Sequence, residues 1–329
     1  MATTANLNLW SILSESKRII NAHSRHFLAL SVFFLLPLSF SLIVSPTIIH
    51  LLTPSNSSTI HILLRLAHTQ AQAQVQAQTT FLNSPFPFPL LLLSLFLLIF
   101  SLSALATITH SIFHGFFGRP VKLISAFTSL LSSFLPLLTT FILSHLILFS
   151  LSLPIPLFLL TPSFSFSSIT LTLTAYALFL PLIFVLFYLR ISWTLASVIA
   201  VVERTWGFQP LRRSAALMKG MKSVGVSCLL FFASLEGIML WSGSLLAEVA
   251  SSDRGSWRDW AFVVQIVLTS TVLTILMLYN VAANTVLYMY CKAVHGELAS
   301  EIAEEFAWQY VSLPFDDSKV PHVVSVVHV

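Results

Sequence analysis

The chain reads as an all-α integral membrane protein, a six-helix bundle with amphipathic interfacial helices at the N-terminus, in the connection between the fourth and fifth spans, and in the C-terminal tail. Three observations lead there. Hydrophobic residues make up 56% of the 329 positions and charged residues only 9%, against about 25% charged in ordinary soluble domains. Six nearly uncharged stretches are each long enough to cross a bilayer, which takes roughly 20 apolar residues. Lysine and arginine, finally, alternate in one-sided fashion between successive connections.

The expected spans run near Phe27 to Ile49, Phe86 to Phe113, Ile124 to Ser150, Ile169 to Val202, Val224 to Ala247 and Ala261 to Tyr290. They are helices because each backbone amide in lipid must find its partner inside the segment. Membrane barrels use alternating segments of about 10 residues, far shorter than these. This divides the chain into a cytoplasmic amphipathic segment over 1–26, a six-span domain over 27–290 and an acidic tail over 291–329. With the N-terminus in the cytoplasm and Arg190 counted on that side, 13 of the 16 lysines and arginines fall inside. Only Arg65, Arg254 and Arg258 fall outside. That asymmetry predicts both termini on the cytoplasmic face. Two cysteines, Cys228 and Cys291, are too few for a disulfide framework.

Ahead of the first span, Leu9, Ile12, Leu13, Ile19 and Ile20 recur at helical spacing, with Glu15, Lys17 and Arg18 on other faces. Two readings stand open: an ordinary juxtamembrane anchor, or a helix lying along the headgroups. The next hydrophobic run exceeds the core of a signal peptide and reads as an uncleaved span. In the first outer loop, alternating Gln70, Gln72, Gln74, Gln76 and Gln78 make a low-complexity spacer, and Asn56-Ser57-Ser58 matches a glycosylation acceptor. Trp257 and Trp260 suit an interfacial aromatic belt.

From Arg190 to Val226 the chain is most informative. Its apolar start continues the fourth helix. Gly207 ends that helix, and Pro210 suits the first turn of a short basic helix whose Arg212, Arg213 and Lys219 can face phosphates. Glu203 and Arg204 sit at the helix exit. There Glu203 can accept from Arg212 or Arg213 and hold the elbow between two helices, and the alternative is a lipid-phosphate site formed by Arg212, Arg213 and Lys219.

The order Arg190, Glu203, Gly207, Leu211, Arg213-Ser214, Leu217 and Lys219-Gly220 resembles a signature of bacterial polytopic proteins related to the membrane domain of glycerophosphodiester phosphodiesterases and to the YciC-like family. As a whole the chain is similar to a plant family of uncharacterised six-span proteins. The resemblance implies an integral-membrane helical fold. It brings no phosphodiester cleavage, because the soluble barrel that carries catalysis in two-domain relatives has no counterpart in this sequence.

Charge inside the bilayer is the next clue. Glu236 lies near the middle of the fifth span, where an acidic side chain costs about 2.5–3.5 kcal/mol on insertion scales. If the fourth helix runs to Val202, Arg190 also lies at depth, and the two form a candidate intramembrane pair. A polar cavity and placement nearer an interface are the alternatives. Asn280 and Asn284 share one helical face of the last span, which suits interhelical hydrogen bonding or a substrate path. His145 in the third span reads as a satisfied interior histidine. His110 and His114, at i, i+4, point to one side of a helix. Membrane di-iron oxygenases carry paired HxxHH boxes that this chain lacks, so no metal or other cofactor is expected.

No GxSxG elbow, Walker loop or GxGxxG turn occurs. The tail from His295 to Tyr310 alternates Ala299, Ile302, Ala303 and Phe306 with Glu297, Glu301, Glu304 and Glu305, an acidic amphipathic helix suited to the basic elbow. The expected function is a non-catalytic multi-pass protein of the endomembrane system or plasma membrane that organises or associates with lipids or other membrane proteins, with no nucleic-acid partner. The alternative is a small-molecule or lipid transporter. A transporter needs a polar cavity reaching Glu236, Asn280 or Asn284, whereas an organising protein fills that space with side chains. Few broken helices and no inverted repeat in the sequence favour the organising role.

Overall fold

The computed structural model describes residues 8–52, 87–119, 123–154, 169–252, 260–300 and 302–303. Among them there is no strand. Six helices are long and apolar enough to cross a membrane: Ser24–Pro46, Phe88–Phe116, Leu123–Ser152, Phe179–Val202, Lys222–Leu245 and Phe262–Val294. The chain is thus an all-α, six-helix membrane bundle. The glutamine-rich loop, the Asn56 acceptor, Trp257 and most of the acidic tail, including Glu301, Glu304 and Glu305, lie outside the described residues.

In chain order the elements are α1 (Leu9–Ala22), α2 (Ser24–Leu30), a π-helical turn (Ser31–Leu35), α3 (Leu36–Leu52), α4 (Pro87–Phe116), α5 (Leu123–Ser152), α6 (Ile169–Ser192), α7 (Ala196–Val202), α8 (Phe208–Leu217), α9 (Lys222–Ser252) and α10 (Trp260–Val294). Residues Met1–Tyr288 form one compact unit and Met289–Val329 a second. In the second, His295 Nδ1 donates to the Cys291 carbonyl at 2.8 Å, and Gly296, at φ +77°, ends the helical turn.

The α1 face carrying Ile12, Ser16, Ile19 and Ile20 is buried, and α1 packs on α4 and α9, while Trp10 on the other side is 74% exposed. Gly115 permits this approach: a Cβ there would lie 2.9 Å from Ile19 Cγ2, closer than side chains tolerate. The first span widens into the π-helical turn just before Pro37. Proline has no N–H to give the preceding turn, and a wider turn absorbs the mismatch.

Contacts between spans follow small and hydroxylated residues. Gly243 of α9 meets Ile43 of α3, where a Cβ would come within 3.3 Å of both the Ile43 side chain and its carbonyl oxygen. Without a hydrophobic force between helices in lipid, such close packing is what joins them. Ser39 and Thr274 share a 2.7 Å hydroxyl contact beside a cluster of Ile43, Phe262, Ile266 and Leu273. A second cluster of Leu102, Ala106, Leu137, Ala200 and Val201 holds α4, α5 and α7 together. Ile124 and Leu131 are 79% and 80% exposed, as suits side chains that face lipid rather than water.

Candidate functional site

The fourth span is not one helix. α6 stops at Ser192, a turn occupies Trp193–Leu195, and α7 resumes at Ala196. This corrects the continuous fourth helix expected from the sequence. The cause is local competition for carbonyls: Thr194 Oγ1 donates to the Arg190 carbonyl at 3.0 Å, and the turn tightens to i→i+3 bonds at Thr194 and Ala196. The Ser192 carbonyl is taken instead by the buried Ser214 Oγ of α8, at 2.7 Å. A broken helix is stable at membrane depth only when its freed backbone groups are paired in this way.

Beside the break lies a cavity of about 390 Å³, walled by α4, α5, α6, α7, α9 and α10. Leu105, Leu137, Phe141, Leu229 and Phe232 give it apolar walls. Arg190, Trp193, Glu236, Asn280 and Asn284 also line it. Arg190, Glu236 and Asn280 all fall in the middle third of their spans. A volume within the roughly 300–1,000 Å³ of small-molecule pockets, mostly apolar with a few convergent polar groups, is the usual architecture of a ligand site.

Hydrogen bonds order the polar side. Asn284 Nδ2 donates to Asn280 Oδ1 at 2.9 Å, and Asn280 Nδ2 donates to Glu236 Oε1 at 2.8 Å. The two amides therefore point head to tail at the carboxylate. Arg190 and Glu236 share the cavity, yet no ion pair joins them among the described residues. His145, expected as an enclosed interior residue, is exposed and lines the same space; its Nδ1 donates to the Phe141 carbonyl at 2.9 Å, so Nε2 of the neutral ring is an acceptor.

The elbow beyond α7 is a separate construction. Arg204 takes φ +53° and Gly207 φ +63°, turning the chain sharply between α7 and α8. The Glu203 carboxylate accepts from Tyr288 Oη at 2.9 Å and from Arg213 Nε at 3.5 Å. Of the three cations singled out for phosphate, Arg213 is thus drawn to Glu203, whereas Arg212 and Lys219 are exposed. Lys222 Nζ donates to Tyr188 Oη at 2.7 Å, tying α9 to α6.

The histidines gather at one end of α4. His110 and His114 meet through their Nε2 atoms at 3.0 Å, and His26 Nε2 contacts Ser111 Oγ at 2.9 Å. Among the described residues no group of three or more His, Cys, Asp or Glu side chains is placed to hold a metal ion.

Sequence reasoning selected Arg190, Glu236, Asn280 and Asn284 by their polarity at depth, and the structure brings all four to one cavity. It missed Trp193, Ser214 and the break itself. The one signal available was the Ser192-Trp193-Thr194 run, three residues of modest helix propensity in an otherwise strong helix. No curated protein and no solved structure matches the chain. A family model described as a domain of unknown function, DUF8558, matches residues 3–318, nearly the full length, and the chain belongs to that family.

Proposed function

We propose that this protein is a non-catalytic membrane carrier that binds a small polar or amphipathic molecule inside the bilayer and passes it through the cavity beside the broken fourth span. The observation that carries this reading is the cavity itself, which reaches Glu236, Asn280 and Asn284 and is not filled by side chains. Discontinuous spans at such sites are the means by which transporters expose backbone and polar groups to a substrate at the midplane. That break weakens the sequence argument for an organising role. The charge asymmetry supports a cytoplasmic placement of both termini, with the elbow at α8 on the same face.

Cysteine accessibility tests the reading. In a background lacking Cys228 and Cys291, Ser197→Cys and Ala233→Cys, both on the cavity wall, should react with a charged methanethiosulfonate reagent. Leu102→Cys, buried in the cluster between α4 and α5, should not. If the two cavity positions prove as unreactive as Leu102→Cys, the space is not reached from water and the carrier reading fails.

A second reading is favoured by one observation. Arg212 and Lys219 are exposed and lie close in sequence to Trp206 and Phe208, which are 57% and 59% exposed, the mixture of cation and aromatic ring that settles at headgroup depth. Anionic lipid is the partner this surface fits, at about 1 kcal/mol per charge. Purification from mixed vesicles should show the Arg212→Gln/Lys219→Gln double variant retaining less phosphatidic acid, with phosphatidylcholine unchanged. Equal retention of both lipids by the variant would remove this partner.

A further inference from the structure

We infer that the ligand of the cavity is a zwitterion of amino-acid to dipeptide size, its anionic group held by Arg190 and its cationic group by Glu236; this rests on the carrier reading of the same cavity. Two opposite charges share one space without pairing. Arg190 and Glu236 lie mid-span on α6 and α9, both line the cavity, and no ion pair joins them among the described residues. Arg190 is exposed and Glu236 half-buried, and a charge at mid-span gains from an opposite partner.

Glu236 has part of what it needs. Asn280 satisfies Oε1, and the donor chain from Asn284 through Asn280 converges on the carboxylate. This arrangement fixes an oriented carboxyl acceptor at one wall, which is what a cationic guest requires. Arg190 offers a planar set of N–H donors matched to a carboxylate, and no carboxylate among the described residues takes them. A singly charged guest would satisfy one wall and leave the other bare. A guest carrying both charges satisfies both.

The rest of the cavity limits the guest further. Phe141, Leu229 and Phe232 supply apolar contact for a hydrocarbon body. His145 Nε2 adds an acceptor on α5 for a neutral donor group. At about 390 Å³ the space exceeds a single small amino acid and suits one with a bulky side chain or two joined residues.

The experiment uses the full-length protein in lipid nanodiscs and isothermal titration calorimetry. The probes are phenylalanine and alanyl-phenylalanine, each with its C-terminal amide, its N-acetyl form and the doubly blocked form. At least one parent zwitterion should bind 10-fold or more tightly than either singly charged form. Arg190→Gln should erase the preference for a free carboxylate and keep that for the ammonium; Glu236→Gln should do the reverse. The unmodified protein carries the main comparison, so a variant that fails to fold does not blunt it. If blocked and free forms bind alike, the zwitterion inference falls while the carrier reading stands. If no probe binds but Ser197→Cys is labelled from water, the outcome is the same. If no probe binds and Ser197→Cys is inert, both fall.

Discussion

At the scale of single residues, the bonds that matter join elements that sequence distance separates. Ser214 Oγ donates to the carbonyl of Ser192, a group left open where the fourth span breaks. Ser214→Ala should lower stability by about 1–3 kcal/mol, since a buried acceptor then loses its donor. Thermal unfolding in detergent measures this, and an unchanged midpoint would show that the break is held by other means. Glu203 offers a similar test. Tyr288→Phe removes one O–H and should cost roughly 1 kcal/mol, falling to near nothing once Glu203→Ala is present, because the two share one hydrogen bond. Arg190 and Glu236 behave differently. Their charge-swapped double variant, Arg190→Glu/Glu236→Arg, should not recover stability lost in either single change, because the carboxylate is engaged by Asn280 and not by the guanidinium. Rescue in that variant would restore the direct pair. These partnerships were illegible in the sequence for a physical reason: hydropathy says that a polar group is buried, not which way its helix is rotated.

At the scale of elements, close approach decides which helices touch. Gly243→Val should separate α3 from α9, since the added atoms meet the Ile43 carbonyl, a backbone group that no rotamer change can move aside. Overpacking of this kind costs about 1–3 kcal/mol. The smaller Gly243→Ala should cost less, and truncating Ile43 should relieve neither fully; a stable Gly243→Val protein would mean the spans are not in contact there. Six spans were plain in the sequence because length and apolarity alone set them. The interruption at Trp193–Leu195 was not, because serine and threonine inside an apolar run ordinarily bond back to their own helix and leave it intact. What distinguishes this run is Ser214, which arrives from 22 residues away to take the orphaned carbonyl.

For the whole molecule, the described residues expose many large apolar side chains, as suits a lipid-facing surface, and bring Arg190, Glu236, Asn280 and Asn284 to one cavity. The orientation proposed for the bundle rests on charge placement. Reporter fusions or protease protection at the two ends should find them on the same face, the cytoplasmic one, and opposite-facing ends would overturn both the even span count and the placement of α8. The polar residues that would serve a guest were legible as outliers in an apolar background. Their convergence was not, since it depends on six helices meeting at one depth.

The seven-residue α7 acts as a ruler between Ser192 and Ser214. One residue added to it would rotate the downstream chain by about 100° and shift it about 1.5 Å along the axis. The hydroxyl would then swing away from its carbonyl. Composition and hydropathy would hardly register such a change. An inserted alanine in α7 should therefore prove more damaging than most point substitutions in the same stretch: in this segment, register constrains the fold more tightly than side-chain identity does.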